Sequence, residues 1–558
     1  MAIMTGIQAM LRVLADSGVR YLFGNPGTTE LPLVDALVDD PRMSYLLALQ
    51  EVPVMAIADG YAQASRGPAV VNLHISCGLG NAMGMLYNAF REGTPLLVTA
   101  GQQDRRLVME EPILWGDMVS VARPWTKWAV EVQRVEDVPV AIRRGLQAAM
   151  TPPTGPVFIA LPLDVQSEQA EMEPRGVVLP NVLVRPPRDA LRRAAAVLAD
   201  ARNPGILVGS RICEADAVAE LVEVANRLGA PVIHEATTSH GRCSFPADHP
   251  LAADPLPFWS PEVCRRLSEF DVLLVAGMKL FQQYIHHEPS QPLPGGIRLV
   301  HLDDNPWEIG KNYAAEVGLI GHPRPALAEL AELLDSTMTS AQVEAARARG
   351  RHRAEGHAAA RDALRREARA EWDVRPMSPL CVMESLARVL PDDVAVIEES
   401  PTTTGSYFER AGMLRNTSGY FAQRGWALGW GLNCAIGVRL AWPERPVLAV
   451  LGDGSAMYGI QGLWTAAHYR TAVTFVVTNN HEYRILKDCA QELQLPAACA
   501  GRFLGLDMEA PAIDFVGLAQ SLGIAACRIG DPDALSDVVR ESLAGDAPRL
   551  VEVAVKRR

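Results

Sequence analysis

Val447-Leu448-Ala449-Val450-Leu451-Gly452-Asp453-Gly454-Ser455, with Val476-Val477-Thr478-Asn479-Asn480 downstream of it, is the part of the sequence that decides the fold. Each run is short, apolar and rich in β-branched residues, which reads as a buried strand. The intervening 459–470 reads as a crossover helix with Leu463, Ala466 and Ala467 on one face. Strand, helix and strand in that order make the two strands parallel neighbours with their polar ends at one carboxyl edge. Asp453 and Asn480 then meet at that edge, and Gly452 and Gly454 let the backbone come close to an anion. A carboxylate, an amide oxygen and a ligand phosphate suit a small hard cation such as Mg²⁺. Either half alone reads as an ordinary turn. Both halves at the ends of paired strands imply a cation–diphosphate anchor.

Outward from this unit the same alternation repeats. Near the N-terminus a strand at 21–23 runs into Gly24-Asn25-Pro26-Gly27-Thr28-Thr29, one at 44–49 into Gln50-Glu51, and one at 69–73 into His74. A fourth is expected at 96–99. Thr28, Glu51 and His74 thus fall just past strand ends, where ligands bind in doubly wound sheets. The middle of the chain has strands at 205–208, 231–233, 272–276 and 298–302, but no Gly-x-Gly-x-x-Gly, so a dinucleotide site there is unsupported. The last part adds strands at 394–397 and 550–555 around a glycine-rich 425–437. The expected architecture is α/β, with three doubly wound parallel-sheet domains. They occupy 1–180, 189–335 and 373–558, with an Ala/Arg/Glu-rich connecting helix at 340–372.

A chain of 558 residues is too long for one core, and 49% hydrophobic with 21% charged residues is ordinary for a soluble globular protein. A net charge of −13 argues against nucleic acid or an anionic membrane as the main partner. Nine cysteines, odd in number and without Cys-x-x-Cys spacing, fit reduced thiols and no zinc site. Arg12 and Asp16 interrupt the first apolar segment, which excludes a signal peptide, and no apolar run reaches membrane-spanning length. The expected location is cytoplasmic.

Taken together, several motifs identify a resemblance. Gly452-Asp453-Gly454-Ser455 followed by Asn479-Asn480 is similar to the signature of thiamine-diphosphate enzymes. Gly24-Asn25-Pro26-Gly27-Thr28-Thr29-Glu30-Leu31-Pro32, Ala48-Leu49-Gln50-Glu51, Asn72-Leu73-His74 with Gly78-x-Gly80-Asn81, and Thr99-Ala100-Gly101-Gln102-Gln103 resemble the benzoylformate decarboxylase family. That family lies within the decarboxylase/acetohydroxyacid synthase superfamily. The resemblance covers the whole chain and implies a pyrimidine-binding domain, a middle domain and a diphosphate-binding domain. It also implies a homodimer within a homotetramer, with each active site between subunits, and thiamine diphosphate and Mg²⁺ as cofactors.

The resemblance assigns roles residue by residue. Glu51 matches the glutamate that hydrogen-bonds the aminopyrimidine and so promotes loss of the thiazolium C2 proton; by itself a glutamate before a helix reads as a helix-start residue. Leu428 matches the apolar wedge that bends the cofactor, and the backbone near Trp426 an acceptor for its amine. Asp453, the Asn480 side chain and the Glu482 carbonyl match the Mg²⁺ ligands. Asn25, Pro26, Gly27, Thr402, Thr403, Gly452, Gly454, Ser455, Tyr483 and Ile485 complete the cofactor-binding set. Thr28 stands where the family has a serine that touches the substrate carboxylate, and His74 where it has a proton-shuttling histidine. A second family histidine aligns with Tyr284, with His286 and His287 close by as alternatives. Ile485 stands where the family has a small residue, which sets its bulk against a phenyl substituent.

The function these matches imply is non-oxidative decarboxylation of a small-molecule 2-keto acid, an arylglyoxylate such as benzoylformate among them, to an aldehyde and CO₂. The alternative within the same chemistry is a carboligase or lyase that makes or cleaves 2-hydroxyketones or acetolactate-like products. A non-catalytic thiamine-diphosphate-binding protein is the alternative outside it.

Overall fold

The structure, a computed structural model, describes residues 2–235, 241–282, 285–288 and 291–557. Three six-stranded sheets, each wholly parallel, carry the chain. The opening unit is as expected: Val447–Gly452 pairs in parallel with Thr474–Asn479, and Gly452 lies opposite Thr478. The crossover helix is shorter than expected, Gly462–His468, because Gly459 to Gln461 form the turn that leads into it.

Numbered along the chain within each domain, the first sheet has strand order 2-1-3-4-6-5 and the last has the same order. The middle sheet is 3-2-1-4-5-6. In the first and last sheets the order reverses between strands 1 and 3, which opens a crevice at their carboxyl ends. In the first sheet the flanking strands are Tyr21–Gly24 and Ala69–Leu73, so the segment after Gly24 and His74 border the crevice. In the last sheet they are Ala395–Glu399 and Val447–Gly452, which places Ser400 and Asp453 there. Both sets of candidate residues therefore sit at equivalent points of two like-wound sheets.

Several strands outrun their sequence boundaries. Leu96–Gln102 continues through Gly101, and Ala395–Glu399 includes two buried glutamates that the apolar pattern left outside. Ser44–Leu47 stops two residues earlier than expected. Ser340–Ala370 is one helix with only Ala346, Leu364 and Ala368 buried, which suits a connector.

The first and last domains share a continuous apolar core. Its centre is the contact between helices Glu51–Ser65 and Trp430–Ala441, with Gly60 facing the Cys434 backbone and Gly437 the Ile57 backbone. A Cβ at Gly60 would lie 2.3 Å from Cys434 O and one at Gly437 1.9 Å from Ile57 O, so the helices approach backbone to backbone. Trp430, buried, donates its indole N–H to the buried carboxyl of Asp59 across the same contact. No helix is long and apolar enough to cross a membrane among the described residues.

Candidate active site

In the first domain the candidate residues form a connected polar group. Glu51 opens its helix and is 5% exposed. Its two carboxyl oxygens accept from Asn25 Nδ2 at 3.2 Å and from Asn81 Nδ2 at 3.0 Å. The amides come from the loop after Tyr21–Gly24 and from the second turn of Ile75–Glu92, so two crevice-flanking elements fix one carboxyl. Gly78 leaves room for it: a Cβ there would sit 3.3 Å from Glu51 Oε1.

His74 lies at the N-cap position of Ile75–Glu92. Its Nδ1 is 2.8 Å from Glu30 Oε2. Glu30 is 1% exposed and also accepts from Gly27 N, Gly101 N and Thr29 Oγ1. Glu30 is surrounded by donors, so it accepts from the His74 Nδ1–H, and Nε2 makes no hydrogen bond among the described residues. A Cβ at Gly27 would fall 2.1 Å from His74 Nδ1, and one at Gly101 2.4 Å from Glu30 Oε1. Both glycines are spaces cut for this pair. Glu30 is the residue that sequence reading passed over, although it stands inside the quoted Gly27-Thr28-Thr29-Glu30 run. Glu30→Ala is expected to lower turnover by about tenfold or more through loss of imidazole alignment, without loss of cofactor. Steady-state rates set beside a cofactor titration check this.

Thr28 is exposed, whereas its neighbour Thr29 is buried and lies 3.4 Å from His74 Nδ1. Tyr284 lies outside the described residues. His286 is exposed and pairs with Glu288 at 3.3 Å. His287 packs edge-on against Trp259, 4.9 Å between ring centres. Trp259 in turn packs on Phe258, and Phe258 stacks on Trp426 at 5.7 Å and 24°. Of the two described histidines, His287 is the one joined to the cavity described next.

The last domain holds a cavity of about 220 Å³. Trp426, Leu428, Ile485, Leu486 and the middle domain's Phe258 supply its apolar wall, and Glu398, Glu399, Thr404 and Gln423 its polar side. Thr404 faces it from the short helix Pro401–Thr404, which also carries Thr402 and Thr403. Glu51, His74 and Thr28 do not line it.

Glu399 is 4% exposed and accepts from Trp430 N at 3.1 Å, Gly431 N at 2.9 Å and Gln423 Nε2 at 2.8 Å. Burial pushes its carboxyl up to about 8 against the pull of those backbone N–H groups. The sequence gives only a weak sign of it, two adjacent acids after an apolar run.

At the cation–diphosphate end, Asp453 Oδ1 accepts from Gly454 N at 2.8 Å and Oδ2 from His481 N at 2.7 Å. Asp453 is 4% exposed, and no basic side chain pairs with it among the described residues. Burial raises its carboxyl above the usual range, against the pull of the Gly454 and His481 N–H groups and the His481 side chain. Asn480 Oδ1 accepts from Glu482 N at 3.0 Å and keeps a second lone pair. The Glu482 carboxyl is taken up by Lys487 at 2.6 Å, which leaves its backbone carbonyl for ligation. Oxygen donors of this kind around an uncompensated carboxylate fit Mg²⁺. A Cβ at Gly454 would lie 2.6 Å from the Tyr483 ring, so a bare Cα is needed there, and Ser455 is buried beside it.

A further buried trio, His234, Cys243 and Glu409, has its donor atoms within 4.8 Å of one another. Ser244 N donates to His234 Nε2 at 3.0 Å, which puts the ring proton on Nδ1, 4.0 Å from Glu409. The trio is buried at the middle–last domain junction, where Cys243 Sγ donates to Phe245 O rather than to either neighbour.

Comparison with known proteins agrees with this layout. Residues 4–118 match the model for the N-terminal TPP binding domain of thiamine pyrophosphate enzymes, 191–330 that for the central domain, and 405–553 that for the C-terminal TPP binding domain. The chain is 34% identical over 553 residues to a benzoylformate decarboxylase of Pseudomonas aeruginosa, covering 98% of each. It is 27% identical over 578 residues to a probable acetolactate synthase large subunit of Methanocaldococcus jannaschii, covering 99% of this chain and 92% of the other. A solved thiamine diphosphate-dependent 4-hydroxybenzoylformate decarboxylase of Rhodococcus jostii superposes with a TM-score of 0.86 at 29% identity over the full length of both.

Proposed function

This chain belongs to the thiamine pyrophosphate enzyme family, and from that premise we propose that it decarboxylates a 2-keto acid to an aldehyde and CO₂ with thiamine diphosphate and Mg²⁺. The observation that carries the reading is Glu51, a buried carboxyl held by two amides at a sheet crevice beside the His74–Glu30 pair. A protein that only stored the cofactor has use for Asp453 and Asn480 but none for a second, reactive set.

Asp453, Asn480 and the Glu482 carbonyl would hold Mg²⁺, with Gly452, Gly454, Ser455 and Tyr483 around the diphosphate. Leu428 and Trp426 would seat the rings. Thiamine diphosphate, when bound, supplies a carbon nucleophile and an electron sink for the pair left behind by CO₂. Glu51 holds a proton at the aminopyrimidine edge. His74, its Nδ1–H held by Glu30, would take a proton on Nε2 and, as the imidazolium, give it up to the carbon that lost CO₂. Thr28, exposed in the same loop, would supply a hydroxyl for the substrate carboxylate, whereas the buried Thr29 hydroxyl is committed to Glu30. His287 is the middle-domain candidate for a second acid/base group, through its contact with Trp259.

The site is completed by a second copy of the chain in this reading. Support comes from the cavity, which the first domain's reactive group does not line, and from Leu49, Met109 and Ile113, 45%, 93% and 83% exposed on that domain. Incubation with a panel of 2-keto acids, Mg²⁺ and thiamine diphosphate should release aldehyde and CO₂. No turnover with any member overturns the proposal. Carboligation is the second reading, favoured by the likeness to a probable acetolactate synthase; added acceptor aldehyde would then yield 2-hydroxyketone as the main product.

Ile485 lines the cavity and is 40% exposed, so it limits the substituent of the keto acid. Ile485→Ala is expected to shift kcat/KM toward bulkier, aromatic 2-keto acids by about tenfold or more, since each methylene in an apolar pocket counts for ~1–3 kcal/mol. Competition between benzoylformate and a short aliphatic keto acid measures it.

A further inference from the structure

The turn that presents Trp426 and Leu428 to the cavity has an unusual backbone. Trp426 has φ +62° and Gly429 φ +92°. A tryptophan in the left-handed region persists only where its surroundings over-determine it. Those surroundings come from another domain. Ile75–Glu92 offers Gly84, Asn88 and Glu92, four residues apart and so on one stripe of the helix. Ala427 Cβ rests on Gly84, where an added Cβ would stand 3.5 Å away. Arg424 N donates to the Glu92 carboxyl.

Between them, Asn88 grips both backbone polar groups of one residue, Ala427, and so holds two successive peptide units. Its Oδ1 accepts from Ala427 N at 3.0 Å, and its Nδ2 donates to Ala427 O at 2.8 Å. The other Nδ2 proton goes to Gln423 Oε1 at 2.9 Å, and Gln423 Nε2 passes on to Glu399. Glu399 in turn holds Trp430 N and Gly431 N. A Cβ on Gly425 would lie 2.2 Å from Asn88 Oδ1, so the turn lies directly on the helix. Asn88 is fully buried, and both Nδ2 protons and its Oδ1 have hydrogen-bond partners.

We infer that Asn88, with Gln423 as its partner, is a positioning residue: it clamps the 424–428 turn so that Trp426 and Leu428 face the cofactor cavity. The helix that does so carries His74 and Asn81, the Glu51 partner, at its other end. One rigid rod therefore sets the reactive group of the first domain and the ring-seating turn of the last. The part of this inference that concerns the cofactor rests on the reading of the cavity given above.

Two measurements on Asn88→Ala and Gln423→Ala separate the questions. In the cofactor-free protein, amide exchange in peptides covering 424–431 should accelerate about tenfold or more in Asn88→Ala, while the strand Val447–Gly452 keeps its protection. With saturating Mg²⁺, the half-saturating thiamine diphosphate concentration should rise about tenfold or more, and the double variant should be no worse than Asn88→Ala alone. Unchanged exchange at 424–431 overturns the clamp. Faster exchange with wild-type cofactor affinity overturns its positioning role. Failure of the unaltered protein to bind thiamine diphosphate overturns the cofactor reading instead, and the exchange result still decides the clamp.

Discussion

Glu51→Gln is expected to reduce turnover by ~10²–10⁴-fold while the protein still binds thiamine diphosphate and Mg²⁺. Glutamine keeps the size of the side chain and an acceptor oxygen but has no exchangeable acid proton. It also sets its own NH₂ against Asn25 Nδ2 or Asn81 Nδ2, both of which donate to the carboxyl in the unaltered site. In the proposed reading cofactor retention rests on Asp453, Asn480 and the cavity of the last domain, none of which Glu51 touches. The expected signature is therefore a fall in kcat with a nearly constant half-saturating cofactor concentration. Hydrogen–deuterium exchange at C2 of the bound cofactor should slow in parallel. Exchange at the unaltered rate, in a variant that still binds cofactor, would remove Glu51 from the activating role.

The fold was legible where apolar runs end in polar residues. The pairing of Val447–Gly452 with Thr474–Asn479, and the placement of Glu51 and His74 past strand ends, follow from strand periodicity and crossover topology alone. The shared strand order of the first and last sheets was not, because topology conserves which strands pair and not which side chains fill them. Glu30 stayed hidden for a different reason. An acid in a turn reads as a solvated helix-start residue, and only the folded chain shows Gly27, Thr29, Gly101 and His74 converging on it. Glu398 and Glu399 misled in the same way: charge ended the expected strand, whereas helix-start N–H groups from Trp430 and Gly431 make burial of Glu399 tolerable. Asn88 gave no signal, since a mid-helix asparagine declares its partner only in three dimensions. Of the middle-domain candidates, Tyr284 lies outside the described residues, and between His286 and His287 it is aromatic packing, invisible to spacing, that separates them.

Asp453→Ala is expected to cost about 100-fold or more in Mg²⁺-dependent cofactor affinity, which leaves activity near background at ordinary cofactor concentrations. Partners one bond removed from a metal are worth 10–100-fold, so a direct ligand is expected to exceed that range. Asp453 stands at the carboxyl end of a central strand with both oxygens oriented by Gly454 N and His481 N, and it brings the negative charge that the amide of Asn480 and a backbone carbonyl lack. The measurement that isolates this effect from chemistry is thermal. At cofactor concentrations 100 times the dissociation constant, the unaltered protein gains about 2.7 kcal/mol from binding and its Tm rises on addition of Mg²⁺ with thiamine diphosphate. Asp453→Ala should show no such rise at the same concentrations. Its unliganded Tm should change little, since the lost hydrogen bonds to Gly454 N and His481 N are offset by removal of a buried, unpaired charge. A ligand-dependent Tm rise equal to that of the unaltered protein would place the cation elsewhere. With the thermal response expected intact in Glu51→Gln and lost in Asp453→Ala, the two variants together would separate the group that reacts from the group that holds.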